Sequence, residues 1–122
     1  MKDLVETGVR LCRLEDLPAG DELDAKGFPA AHPAKAGVFV LRDGDEVRAY
    51  LNRCPHAGTP LNWTPDRFLD LERSQIVCAT HGATFRIADG VCVSGPCRGD
   101  ALEPVAVEVR DGFVYVENWV EN

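Results

Sequence analysis

The chain has 122 residues, 45% of them hydrophobic and 27% charged, the balance of one globular unit long enough to enclose a core. Its 20 acidic against 13 basic side chains leave a formal charge of −7, which argues against nucleic acid because phosphate binding needs clustered Lys and Arg, and suits instead a protein partner with a basic face. Residues 1–6 lack the apolar run of a signal peptide and no later stretch is long and apolar enough to cross a bilayer, so a cytoplasmic protein with no membrane partner is expected.

In chain order, the first expected element is a strand over residues 9–14, followed by a Pro-, Gly-, Ala- and Asp-rich surface connection over residues 18–35. Asp43-Gly44-Asp45 then separates Val38-Phe39-Val40-Leu41 from Val47-Arg48-Ala49-Tyr50-Leu51, two β-rich runs about a turn signal, which predicts a hairpin. From about residue 52 to 98 the chain changes character. This segment holds all but one of the cysteines and two of the three histidines, as a loop-rich unit organised around a site would. A brief helix is expected around residues 65–71, and Asp89-Gly90 marks a turn between Ala83-Thr84-Phe85-Arg86-Ile87 and Val91-Cys92-Val93. Asp111-Gly112 turns a last hairpin in which Val105, Val107 and Val109 share one face and Ala106 and Glu108 the other. No window sustains a 3.6-residue apolar period, so the fold is expected to be all-β and antiparallel, one domain over residues 1–122.

Cys54-Pro55-His56 and Cys78-Ala79-Thr80-His81 are two short clips, each offering one soft thiolate and one imidazole. That ligand chemistry selects zinc, copper or iron–sulfur and makes calcium and magnesium poor candidates. In a cytoplasmic chain five cysteines are read as ligands or buried thiols before disulfides, and an odd number cannot all pair within one chain.

The segments CPHAGTPLN and CATHGATF resemble the Rieske [2Fe–2S] ferredoxin family, whose pattern is C-x-H, a spacer, then C-x-x-H. The likeness extends to Gly58, Pro60 and Leu61, to Gly82, and to Asp89-Gly90 followed by Gly95-Pro96, about half the chain. The resemblance implies an antiparallel β-sandwich with an inserted cluster-binding subdomain at about residues 52–98. It implies one [2Fe–2S] cluster, with Cys54 and Cys78 on one iron and His56 and His81 on the other. It implies a loop at Gly95-Pro96 that shields the cluster; the alternative there is an ordinary surface turn.

Family members with high potentials carry a serine directly after the His-Gly pair and a tyrosine two residues later, both donating hydroxyls towards the cluster, and a disulfide between the two loops. This chain has Ala83 and Phe85 there, and Ala57, Gly58 and Thr59 after His56. A potential low in the family span of roughly −150 to +300 mV is therefore expected.

A single structural zinc on the same four residues is the alternative metal reading, and colour separates the two, since only the iron–sulfur protein is red-brown. Cys92 and Cys97 are read as buried thiols without a role, Cys12 as core, and His32 as a solvated residue. Trp63, Phe68, Leu69 and Leu71, between the clips, form either a local core under the cluster loops or a docking patch beside the histidines.

The resemblance implies a one-electron carrier, not an enzyme by itself, between a flavin reductase and a terminal oxygenase or related oxidoreductase. The alternative is the small electron-transfer subunit of a larger, nitrite reductase-like complex. An oxygenase large subunit is excluded, because only His32 remains for the two-histidine, one-carboxylate iron site it requires.

Overall fold

A computed structural model describes residues 8–28, 37–55, 58, 60–62, 66–80 and 82–117. The strands among them are β1 (Gly8–Arg13), β2 (Lys26–Phe28), β3 (Val38–Asp43), β4 (Glu46–Leu51), β5 (Gln75–Val77), β6 (Thr84–Arg86), β7 (Cys92–Ser94), β8 (Val107–Arg110) and β9 (Phe113–Glu117), with single 3-10 turns at Leu14–Asp16 and Gly20–Glu22. They pair into three antiparallel sheets of three strands, ordered β1-β9-β8, β2-β3-β4 and β5-β6-β7. None of the described helical segments is long and apolar enough to cross a membrane.

Turn chemistry sets the two tight hairpins. Asp111 and Gly112 both have positive φ, 54° and 81°, the backbone of a two-residue loop whose twist matches that of the strands it joins. Arg110 consequently faces Phe113 and Val109 faces Val114. In the β3–β4 hairpin Gly44 takes φ 63° at the first loop position and Asp43 faces Glu46.

Strand β3 is the wall between two cores. Its continuous apolar run Val38-Phe39-Val40-Leu41 is wholly buried, as a strand covered on both faces must be, and alternation sends neighbours to opposite sides. Val40, opposite Ala49, packs with Leu17, Val114 and Val116 under the terminal sheet. Phe39 and Leu41 face the other way, into a core with Leu61, Phe68, Ile76, Phe85, Leu102 and four cysteines, Cys54, Cys78, Cys92 and Cys97. Phe39 stacks on Phe68 with centroids 4.5 Å apart and tilts against Tyr50, its cross-strand partner, at 5.8 Å.

The all-β expectation holds, and three local expectations do not. The connection over residues 18–35 contains strand β2 and a buried pair, Asp24 and Ala25; its residues 29–35 lie outside the described part. The helix expected around residues 65–71 is absent over residues 66–71, Pro65 being outside the described part. Asp66 is left-handed (φ 61°), Leu69 bridges Ile76, and Val77 N–H donates to Phe68 O at 2.8 Å, so this stretch runs back along β5 as an irregular ribbon. Two aromatic and aliphatic anchors, Phe68 and Leu69, are pulled to the core by tertiary burial that outweighs local propensity. In the last hairpin Val105 and Val107 pack on the terminal-sheet core, but Val109 is 40% exposed, because that core ends before the hairpin tip.

Asp24 fastens the ribbon to the rest of the chain. Its Oδ1 accepts the amides of Phe68 (2.7 Å), Leu69 (3.1 Å) and Ala25 (2.8 Å), and Arg73 Nη1 lies 3.7 Å from Oδ2. A buried carboxylate is tolerated only when its oxygens are satisfied in this way.

Candidate metal centre

The first clip begins three residues after β4, and the second directly after β5. Both loops are closed by the same bond. Gly58 N–H donates to Cys54 O at 2.7 Å, and Gly82 N–H donates to Cys78 O at 2.8 Å. Each glycine sits four residues after its cysteine with a left-handed backbone, φ 74° and 77°. Neither glycine is needed for space, since nothing would lie within 4 Å of an added Cβ; backbone conformation is what selects it.

The loops are also tied to each other and to the sheet. Ala79 N–H donates to Leu61 O at 2.7 Å, linking second loop to first, and Cys78 N–H donates to Ala83 O at 2.8 Å. Asn52 Oδ1 accepts the Leu61 amide at 2.8 Å while its Nδ2 donates to Asn62 Oδ1 at 2.9 Å. The result places the Cys54 and Cys78 side chains in one core cluster, 1% and 0% exposed. Buried sulfurs of this kind suit a soft metal, which neutralises a thiolate that an apolar site would otherwise refuse.

A third loop covers the second. Gly95 takes φ 101°, and a Cβ there would meet Ala83 Cα at 2.7 Å and Ala83 Cβ at 3.0 Å. The Gly95-Pro96 turn thus rests directly on Ala83, two residues past the second clip, which favours a cover over an ordinary surface turn. Ala83 and Phe85, 1% and 0% exposed, are the two positions where a hydroxyl donor is missing.

Cys92 and Cys97 carry free thiols on either side of the cover turn, both 2% exposed. Cys92 Sγ donates to Ser94 O at 3.2 Å, and Cys97 Sγ donates to Cys92 Sγ at 3.2 Å. Burial first, then the neighbouring sulfurs of Cys92 and Cys54, push the Cys97 thiol up to about 12, so it stays protonated. Cys12 is half-buried beside the terminal-sheet core, and burial lifts its thiol too.

His56 and His81 lie outside the described residues, as do Ala57, Thr59, His32 and Trp63. Of the other residues between the clips, Phe68 is core, Leu69 packs on it, and Leu71 is 99% exposed at the tip of a turn. The sequence reading passed over Asn52 and Asp24. An Asn two residues before the cysteine of the first clip is a signal of a side-chain-closed loop; nothing in the sequence marks Asp24, two of whose amide partners, Phe68 and Leu69, are more than 40 residues away.

The sequence pattern of the Rieske [2Fe–2S] domain matches residues 7–111. A solved structure similar to this chain is the ferredoxin of carbazole 1,9a-dioxygenase from Nocardioides aromaticivorans IC177, with 28% identity, TM-score 0.69, and coverage of 91% of this chain and 97% of that one. Among curated relatives, human apoptosis-inducing factor 3 is 30% identical over 116 residues, 94% of this chain but 17% of its own length. The menaquinol:cytochrome c reductase iron-sulfur subunit of Bacillus subtilis is 30% identical over 79 residues, 65% of this chain and 45% of its own length. The chain therefore spans less than half of either curated relative.

Proposed function

The chain belongs to the Rieske [2Fe–2S] domain family, and from that premise we propose that it is a one-electron carrier whose cluster is held by Cys54 and Cys78 on one iron and by His56 and His81 on the other. The observation that carries the reading is the pair of matching loops, each closed by a left-handed glycine onto the carbonyl of its cysteine, with both sulfurs buried in one cluster. When bound, the cluster supplies reversible one-electron chemistry without any bond to a substrate.

The chain's own part is to exclude water and to set the potential. Leu61, Phe85 and the Gly95-Pro96 cover enclose the cysteine side. With Ala83 and Phe85 offering no hydroxyl, the centre belongs at the low end of the family span. The unit from about residue 52 to 98 is the cluster-binding part of one domain. The partners are a flavin reductase and a terminal oxygenase or related oxidoreductase in the cytoplasm. A ferredoxin of a dioxygenase, similar over 91% of this chain, supports that pairing, and the −7 charge suits basic docking faces.

Metal and sulfide analysis with EPR of dithionite-reduced protein tests the assignment. Two irons and two sulfides per chain, lost in Cys78→Ser and His81→Ala, are expected from a four-ligand binuclear centre. Stoichiometric zinc without sulfide would overturn it. Retention of a large subunit through gel filtration would replace the free carrier by a subunit of a complex.

A further inference from the structure

We propose that Asn52 is a positioning residue for the centre: its side-chain amide holds Leu61, and through Leu61 it sets the spacing between the Cys54 clip and the Cys78 clip. The inference deepens the ligand assignment above and rests on it.

Asn52 follows β4 directly and is anchored by its own backbone, its N–H donating to Gly37 O at 2.8 Å. From that fixed point both polar atoms of the side chain reach across the first loop. Oδ1 accepts the Leu61 amide at 2.8 Å, and Nδ2 donates to Asn62 Oδ1 at 2.9 Å. The orientation of the side chain is forced, because a backbone N–H only donates and must face the oxygen.

Leu61 passes this placement on to the second loop. It is 0% exposed, so its backbone groups have little water to turn to and depend on these partners. Its O accepts Ala79 N–H at 2.7 Å, which among the described residues is the backbone bond that joins the two clip loops. Ala79 adjoins Cys78, whose loop is closed on itself by Cys78 N–H to Ala83 O and Gly82 N–H to Cys78 O, both at 2.8 Å. The second clip therefore moves as a unit, and Leu61 is where it meets the first. Hydrogen bonds in series from Gly37 to Asn52, Leu61 and Ala79 thus run from the end of β4 to the residue after Cys78.

A centre that takes ligands from both clips needs their sulfurs at a fixed separation, and the outer partners that orient ligands tune a metal as well as retain it. Asn52 governs that separation from both ends, by the chain two residues before Cys54 and by the bonds through Leu61 to the neighbour of Cys78.

Hydrogen exchange and EPR of dithionite-reduced protein, on the full chain with its cluster, test the proposal in Asn52→Ala, Asn52→Asp and Val40→Ala. Asn52→Ala should speed exchange of the Ala79 amide, which Asn52 does not itself bond, and should shift the g values of the centre. Asn52→Asp keeps an acceptor for Leu61 and should bring both back towards the unsubstituted values. Its added charge acts on the potential directly, so exchange and g values are the quantities compared. Val40→Ala weakens the other core and should move neither. Unchanged g values or unchanged Ala79 exchange in Asn52→Ala would overturn the proposal, as would an absence of recovery in Asn52→Asp or equal changes in Val40→Ala. Loss of the whole fold in both Asn52 variants would also overturn it, since Asn52 would then hold the domain together rather than the spacing of the clips. Wild-type protein without a binuclear iron EPR signal would instead bring down the ligand assignment, while exchange at Ala79 still reports the coupling of the loops.

Discussion

Gly95 lies so close to Ala83 that a Cβ on the glycine would come within 2.7 Å of the Ala83 Cα. The neighbouring atom is backbone, which has little room to yield, and φ 101° is itself unfavourable for any L side chain. Gly95→Ala is therefore expected to cost about 2 kcal/mol and to lift the cover from the second loop. Chemical denaturation and the rate of bleaching of the visible absorbance in air measure the two effects together.

Ala83→Ser places a hydroxyl at the position beside the second clip, in a site 1% exposed. A donor there should raise the midpoint potential in a redox titration, provided that the cover accommodates one more oxygen. A midpoint equal to or below that of the unsubstituted chain would count against Ala83 as a cause of low potential.

Gly58 and Gly82 test conformation separately from space. Either one replaced by Ala meets no atom within 4 Å yet must hold a left-handed backbone, a cost of about 1 kcal/mol each. Asn tolerates that region better than Ala, so Gly58→Asn should be the milder change. Thermal unfolding of the three variants gives the order.

Asp24→Ala removes the acceptor of the buried amides of Phe68 and Leu69. With the Ala25 amide, which donates to the same oxygen, three unsatisfied donors put the loss at about 3 kcal/mol or more, whereas Asp24→Asn keeps an acceptor oxygen and should lose less. Hydrogen exchange should show the faster opening first at Phe68 and Leu69.

Burial raises the Tyr50 phenol above its ordinary value of 10, against a smaller opposing pull from Arg48, and its hydroxyl donates to Ile87 O at 2.7 Å. With the folded value above the unfolded one, this group's contribution is fully present below pH 10 and is lost as pH rises through the folded value. Stability of the unsubstituted chain should thus decline above pH 10 by an increment that Tyr50→Phe lacks, and phenolate absorbance should show Tyr50 titrating late.

Much of this architecture is legible in the sequence, where a local signal fixes a local geometry. Asp111-Gly112 names its own turn, the apolar run at Val38 to Leu41 names a doubly buried strand, and the two cysteine clips mark the loops that bring Cys54 and Cys78 into one buried cluster. What escaped has distant causes. Strand β2 is three residues long and exists because β3 offers an edge, not because its Lys-Gly-Phe sequence favours extension. The ribbon at residues 66–71 is drawn by Asp24 from 44 and 45 positions away, a pairing no window of sequence contains.

The double burial of β3 sorts its substitutions by parity. Val40 looks towards the terminal hairpin and Phe39 towards the sulfurs, although the two are adjacent in sequence. Damage at Val40 should loosen the core under the terminal sheet and leave the colour and spectrum of the protein alone, while an equal loss of volume at Phe39 should be visible to the eye.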